Sequence, residues 1–222
     1  MAMAEHQTQV KLREACEHLL STAAHPDEVT VRSITQRAGT NVSAVNYHFG
    51  SLQQLVFSTA ERVYLRLNAE RLRLLQSAVQ RTHPAPASVE DLIAALVGPS
   101  IRWSLDPTSS YNVMRHMTTL AQASDHPEIF RPMIEDIEHH LQFIPHFRKI
   151  APWLSEVDIG FRISCLLGVR TQMTRNRQRT LELTQHAIDL ENADSVIAQI
   201  VAATAPMFVA PISNSVPIPS RH

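Results

Sequence analysis

The chain is poor in glycine, nearly devoid of lysine, and has no long apolar run. Five glycines in 222 residues leave few places for the positive-φ turns that join short strands. No stretch alternates apolar and polar residues over strand length, so an all-α fold is expected and a β-rich one excluded. No apolar segment reaches the roughly 20 residues that span a bilayer, and the first residues lack a secretory signal pattern. A cytoplasmic protein with no membrane partner is expected. Only two cysteines are present, Cys16 and Cys165. They lie far apart in apolar helical segments and read as small buried hydrophobes, not as a disulfide framework or metal cluster.

Lysine occurs twice, at Lys11 and Lys149, and the formal net charge is −1. The molecule as a whole is therefore no general polyanion binder. Any phosphate contact falls to arginine, hydroxyls, histidine and backbone N–H groups. What is abundant is apolar: 44% of residues are hydrophobic, enough to build a substantial core.

Helical periodicity divides the chain. Residues 1–8 are polar and expected to fray. Val10, Leu12, Ala15, Cys16, Leu19 and Leu20 form one apolar stripe, so a first helix is expected over about 9–21. Thr30 reads as an N-cap, with a short helix through Val31, Ile34 and Ala38 ended by Gly39. Asn41 caps a second short helix over 42–49, closed by Gly50. Two short helices joined at a glycine turn make a helix-turn-helix. A long helix over about 51–80 is stopped by His83-Pro84-Ala85-Pro86. Further helices are expected over 88–104, 110–123 and 128–150, the last kinked or split at Pro145. A final pair spans 155–175 and 194–208. Residues 211–222 are rich in proline and serine and expected to be a disordered tail.

The run Thr30-Val31-Arg32-Ser33-Ile34-Thr35-Gln36-Arg37-Ala38-Gly39-Thr40-Asn41-Val42-Ser43-Ala44-Val45-Asn46-Tyr47-His48-Phe49-Gly50-Ser51 resembles the signature of the TetR family of transcriptional regulators. The match lies in Thr-Val opening the second helix, Ala-Gly in the turn, and Tyr-His-Phe ending the third. It covers about residues 9–60, and the rest matches in architecture alone. The short form from Ala44 to Ser51 is similar to that of fatty-acid-responsive members. The resemblance implies a reading head over 1–51, a helical effector-binding and dimerisation domain over 52–210, and the tail over 211–222. It implies that Thr30, Tyr47 and His48 touch phosphates, that Arg32 reaches phosphate or a base edge, and that Asn41 caps the reading helix. Val42, Ser43, Ala44 and Asn46 fall where the family reads bases.

Two departures stand out. Leu52 occupies the position where the family carries a phosphate-binding lysine, and His25-Pro26-Asp27-Glu28 replaces a glycine-containing loop. Over residues 1–55, Lys11, Arg13, Arg32 and Arg37 face Glu5, Glu14, Glu17, Asp27 and Glu28. Arg62, Arg66, Arg71, Arg73 and Arg81 on the long helix add only in part. Binding by shape and dimerisation, with a shallow salt dependence, is expected.

Reading two half-sites requires two heads, hence a homodimer. Gly160, Ser164 and Gly168 recur every four residues on one helical face, flanked by Phe161, Leu167 and Val169. With Val196, Ile197, Ile200, Val201 and Thr204 on the last helix, they offer a four-helix interface. The alternative for both sets is packing within one chain. The middle helices carry Trp103, Met114, Met117, Phe130, Met133, Phe143 and Phe147. This soft, aromatic set fits either a core or a pocket for a small hydrophobic ligand, with Arg115 and His116 to orient a polar end. Arg175, Arg177 and Arg179 read as a solvated loop or a second anionic site.

Glu138, His139, His140 and His146 are metal-ligand types. Adjacent His139 and His140 would face different sides of a helix, so no metal is expected. No catalytic set stands out, and neither an enzyme nor a cofactor is expected. The leading expectation is a DNA-binding regulator, a repressor released from a palindromic operator by a small effector. An activating or ligand-independent regulator, or a helical interaction module, are the alternatives.

Overall fold

In a computed structural model, residues 2–123 and 127–209 are described. They are all-α, with no strand among them. The expected tail over 211–222 lies outside the described residues. No described helix is long and apolar enough to cross a membrane.

The first helix, α1 (Ala2–Thr22), starts well before residue 9. Residues 2–8 are alanine, methionine, glutamate, histidine, glutamine and threonine, without glycine or proline to break them. Helix α2 (Val31–Ala38) is entered through a reciprocal capping box. The Thr30 hydroxyl accepts from the Ser33 N–H (3.1 Å) and the Ser33 hydroxyl accepts from the Thr30 N–H (3.0 Å). Gly39, at φ 64°, turns the chain where a side chain would be strained. Helix α3 (Ser43–Phe49) follows, with Asn41 Oδ1 accepting from the Ala44 N–H (3.0 Å) and the Ser43 hydroxyl (2.6 Å).

Helix α4 (Leu52–Thr82) spans roughly 46 Å at about 1.5 Å per residue and is capped by Ser51. Helices α5 (Val89–Leu105) and α6 (Tyr111–Ala123) fall where periodicity places them. The helix expected over 128–150, kinked or split at Pro145, is split there and broken at further points before it. It is broken into a 3-10 turn (Pro127–Ile129) and helices α7 (Arg131–Glu135), α8 (Glu138–Leu141) and α9 (Ile144–Ile150). Pro132 and Pro145 occupy the opening turns of α7 and α9, where a missing N–H costs nothing. Between them Asp136 leaves the helical region and its carboxylate accepts from the Glu138 N–H (3.0 Å). Helix α10 (Glu156–Arg175) is as expected. The polar stretch after it holds a further helix, α11 (Arg177–Leu183), so the run Arg175–Arg179 is largely helical and not a loop. The last expected helix is divided at Pro206 into α12 (Ala193–Thr204) and α13 (Pro206–Val209).

Two apolar cores form. One joins α5, α9, α10, α12, α13 and the far half of α4, around Leu92, Ile93, Phe143, Phe147 and Phe208. The Phe147 and Phe208 rings stack at 4.2 Å. The other gathers Leu12, Cys16, Leu20, Ile34, Val45, Leu55 and Val63 with Val113, Met117, Phe130 and Met133. The helix-turn-helix is thus packed on α6 and on the segment leading into α7, as well as on α4.

Burial pushes the Cys16 thiol up to about 12, whereas Cys165 is half-exposed. Because the thiolate is the nucleophile, iodoacetamide at pH 8 should leave Cys16 intact in the folded protein and label it only once denaturant is added. Peptide mass mapping reads this, and early labelling of Cys16 would contradict the packing.

Candidate functional site

The outward face of α2 and α3 carries Thr30, Arg32, Asn41, Val42, Ser43, Asn46 and Tyr47, all exposed. Tyr47 is 73% exposed, and Val42 too is largely uncovered. His48 is half-buried and packs edge-to-face against Tyr47 at 4.8 Å. Ala44 departs from the expected set, because it turns inward beside Val45 and Ile34. Seven exposed side chains therefore share this face with half-buried His48, and Ile34, Thr35, Ala44 and Val45 are buried behind it.

Two charges modify this face. The Tyr47 hydroxyl donates to the Glu5 carboxylate at 3.0 Å, and that hydrogen bond, with the charge beside it, raises the phenol above its ordinary pKa. A carboxylate from the first turn of α1 is thus held on the face expected to meet phosphates. Arg13 is turned away from it, donating to the Ser58 hydroxyl (2.9 Å) and lying 5.2 Å above the Phe49 ring. Leu52 is half-buried against the head core, so it contributes packing in place of a charge.

The arginines of α4 are largely committed elsewhere. Arg66 pairs with Glu17 and Arg81 with Asp91. Arg71 is only 2% exposed. It donates to the Leu96 carbonyl (2.8 Å), the Ser100 hydroxyl (3.0 Å) and the Asn68 side chain. Burial and the nearby Arg170 pull its guanidinium down to about 10, which leaves it charged at neutral pH.

Arg71 borders a cavity of about 250 Å³ between α4, α6, α8 and α10. Of the residues expected to line a pocket, Met114, Arg115 and Met133 do so. Phe143 and Phe147 are core instead, and Met117 and Phe130 belong to the head core. Trp103 donates to Glu70 (2.8 Å), and His116 faces the Ala23 carbonyl (3.2 Å) at the end of α1. The cavity wall that sequence reasoning missed is polar: Tyr64, Arg71, Asp136, His139 and Arg170. A signal was present. Arg71 sits four residues from both Leu67 and Leu75, and Arg170 four from Leu166, so each lies on the buried stripe of its helix.

His139 and His140 do not face apart as expected. Helix α8 is a single turn, and it leaves their ring centroids 3.8 Å from each other. Tyr64 donates to both the Asp136 carbonyl (2.9 Å) and carboxylate (3.0 Å), beside His139 Nδ1 at 3.3 Å. Burial, with the positive charge of neighbouring groups, lowers His139 to about 4 and His140 to about 2. Among the described residues no set of three potential ligands is placed to hold a metal.

Helix α10 presents an unpartnered stripe. Val157 is 82% and Phe161 71% exposed, with Ser164 and Gly168 exposed on the same side. Gly160 and Gly168 each have open space where a Cβ would point. Leu167 is half-buried, and Val196 and Ile200 are core residues packed towards α5. The outward side of α12 is instead Ala198, Gln199, Ala202 and Ala203.

No family profile matches the sequence, and no curated protein matches it either. Solved structures do. A candidate transcriptional regulator from Pseudomonas aeruginosa PAO1 is similar over 90% of this chain and 93% of its own, at TM-score 0.54 and 17% identity. RolR, solved with its ligand resorcinol, is similar over 95% of this chain and 97% of its own, at TM-score 0.54 and 14% identity. At these identities the likeness is one of fold.

Both cavity histidines are held neutral in the fold. They bind protons in the unfolded chain below about pH 6.5 but not in the folded one, so stability falls as pH drops from 7 towards 4. The melting temperature is expected to decrease over that range, and less steeply in His140→Gln. An unchanged slope in the variant would show that acid stability is set elsewhere.

Proposed function

We propose that this protein is a homodimeric, sequence-specific DNA-binding regulator of the TetR type, with residues 1–51 as its reading head and residues 52–210 as its effector and dimer region. The observation that carries this reading is the α2–α3 face. Two caps and a left-handed glycine fix two short helices at a tight turn, and the second presents short polar side chains outwards. That is what a major groove accepts. Thr30, Tyr47 and His48 serve as phosphate contacts, and Arg32, Val42, Ser43 and Asn46 read the groove. The likeness of fold to transcriptional regulators agrees with this reading.

A second copy covers the α10 stripe. Val157 and Phe161 supply apolar area, while Gly160, Ser164 and Gly168 let backbones approach. The small outward residues of α12, Ala198 and Ala202, take the place expected for Val196 and Ile200. Phe161→Glu should convert the dimer to monomer in sedimentation and abolish tight DNA binding. A dimer that survives the substitution would place the interface elsewhere.

The regulator acts as a repressor that a small, largely hydrophobic effector releases from a palindromic operator. RolR, of similar fold, binds a small aromatic molecule. Two helices here join cavity and head. On α4, Tyr64, Leu67 and Arg71 line the cavity, while Leu55, Val56 and Val63 lie in the head core. On α6, Tyr111, Met114 and Arg115 face the cavity. The other side of α6 holds Val113 and Met117 in the head core and lets Asn112 donate to the Ala23 carbonyl (2.9 Å). A ligand that shifts either helix shifts the head, and operator and effector must then oppose one another equally.

Footprinting on DNA flanking the gene, with and without a panel of small aromatic and aliphatic compounds, tests this. A protected palindrome that one compound class removes is expected. Tyr47→Phe should weaken binding a few-fold on every sequence, and Asn46→Ala should relax base preference by about 1–3 kcal/mol at one position. Absence of protection at low salt would overturn the reading.

A further inference from the structure

Among the described residues, the wall of the cavity beside Arg71 is richer in guanidinium than in carboxylate, with Arg71, Arg115 and Arg170 against Asp136. That carboxylate already accepts from Tyr64 and from the Glu138 N–H. His139 and His140 contribute no negative charge. No ion pair to Arg71 or Arg170 forms among the described residues, although both are buried or nearly so.

Arg71 satisfies its donors on neutral oxygens alone. Arg170 fares worse. Its Nε is buried and has no hydrogen-bond partner, and the same holds for Nδ1 of His140 across the cavity. Buried polar atoms are normally paired, so these two mark incompletely satisfied groups in the cavity wall. Two guanidiniums that repel one another, one with a free donor, are an arrangement that an anion stabilises and a neutral molecule does not.

Leu67, Met114 and Met133 supply the apolar part of the wall, beside Asn68, Ser100, Tyr111, Thr171 and Thr174. The volume of about 250 Å³ falls below the roughly 300–1,000 Å³ of pockets for drug-sized ligands. Arg115, Thr174 and Arg175 line both this cavity and the shallower cleft outside it, so the two share a mouth carrying two further arginines. Arg115 is positioned there by donating to the Thr174 carbonyl (2.9 Å) and by lying 5.8 Å from the Tyr111 ring centre.

We infer that the cavity takes a small organic carboxylate, its charged end on Arg170 and Arg71 and its short apolar body against Leu67, Met114 and Met133. This deepens the effector reading given above and rests on it for its regulatory meaning, but binding itself does not depend on DNA. The carboxylate supplies acceptors and a compensating charge beside the two guanidiniums. Arg115 attracts it at the mouth.

Calorimetry and thermal unfolding of the full chain test this with benzoate and hexanoate, their neutral counterparts benzamide and hexanamide, and inorganic phosphate. At least one carboxylate should bind and raise Tm, with its amide binding at least about tenfold more weakly. Arg170→Met should weaken the carboxylate about tenfold or more, and Arg170→Lys should restore part of the loss. Arg115→Met, at the exposed mouth, gives a second readout should Arg170→Met fold poorly, and should slow carboxylate association. Amides that bind as well as the acids overturn the inference, as does a panel in which neither acid binds. Equal stabilisation by phosphate would show an unselective anion hole and overturn the carboxylate assignment. Carboxylate binding without operator binding would leave this inference standing and sink the regulator reading, while release of operator by neutral compounds alone would do the reverse.

Discussion

Arg71 is a positive charge placed inside the fold without a carboxylate to pair with among the described residues, and α4 and α5 meet where its hydrogen bonds are made. Its three bonds reach a carbonyl and a hydroxyl on α5 and an amide on its own helix. The turn of α5 that receives it contains Pro99, which removes one helical hydrogen bond there. A buried charge left on neutral partners is costly. It is tolerated where burial of the surrounding apolar residues outweighs it, and where a bound partner can offset it. With Arg170 close by, the cost is concentrated beside the cavity that both arginines border.

The same space lies where motion can be transmitted. Helix α6 is two-sided, with Tyr111, Met114 and Arg115 towards the cavity and Asn112, Val113, His116 and Met117 towards α1 and the head core. Helix α4 repeats this along its length. The head is therefore not an appendage on a linker. Its core includes residues from α6 and from the segment around Phe130 and Met133, and Met133 itself borders the cavity. On the proposed reading, a change in occupancy would act on side chains packed at interior density, where small shifts are passed on.

The helix-turn-helix was legible in sequence because its determinants are local. Thr30, Asn41 and Ser51 cap helices within three residues of themselves, and Gly39 and Gly50 adopt positive φ. The region over 128–150 was not legible in the same way. Its apolar spacing fits one long helix with a break readable at Pro145, whereas the breaks around Pro132 and Asp136 come from side-chain chemistry that periodicity does not weigh. The cavity was missed for a different reason. Its polar residues come from four helices distant in sequence, and its aromatic candidates, Phe143 and Phe147, were claimed by the core. The arginines interrupting the buried stripes of α4 and α10 were the sequence-level trace of it. On α12, periodicity identified the apolar side correctly as a face, but that face, with Val196 and Ile200, turns inward.

The central claim is that α2 and α3 form the surface that meets DNA. Hydrogen–deuterium exchange by mass spectrometry, with the free protein compared against its complex with a protected DNA fragment, addresses this surface directly. The account predicts slowed exchange concentrated in peptides covering residues 30–51. Protection located elsewhere, with residues 41–50 exchanging as in the free protein, would contradict it.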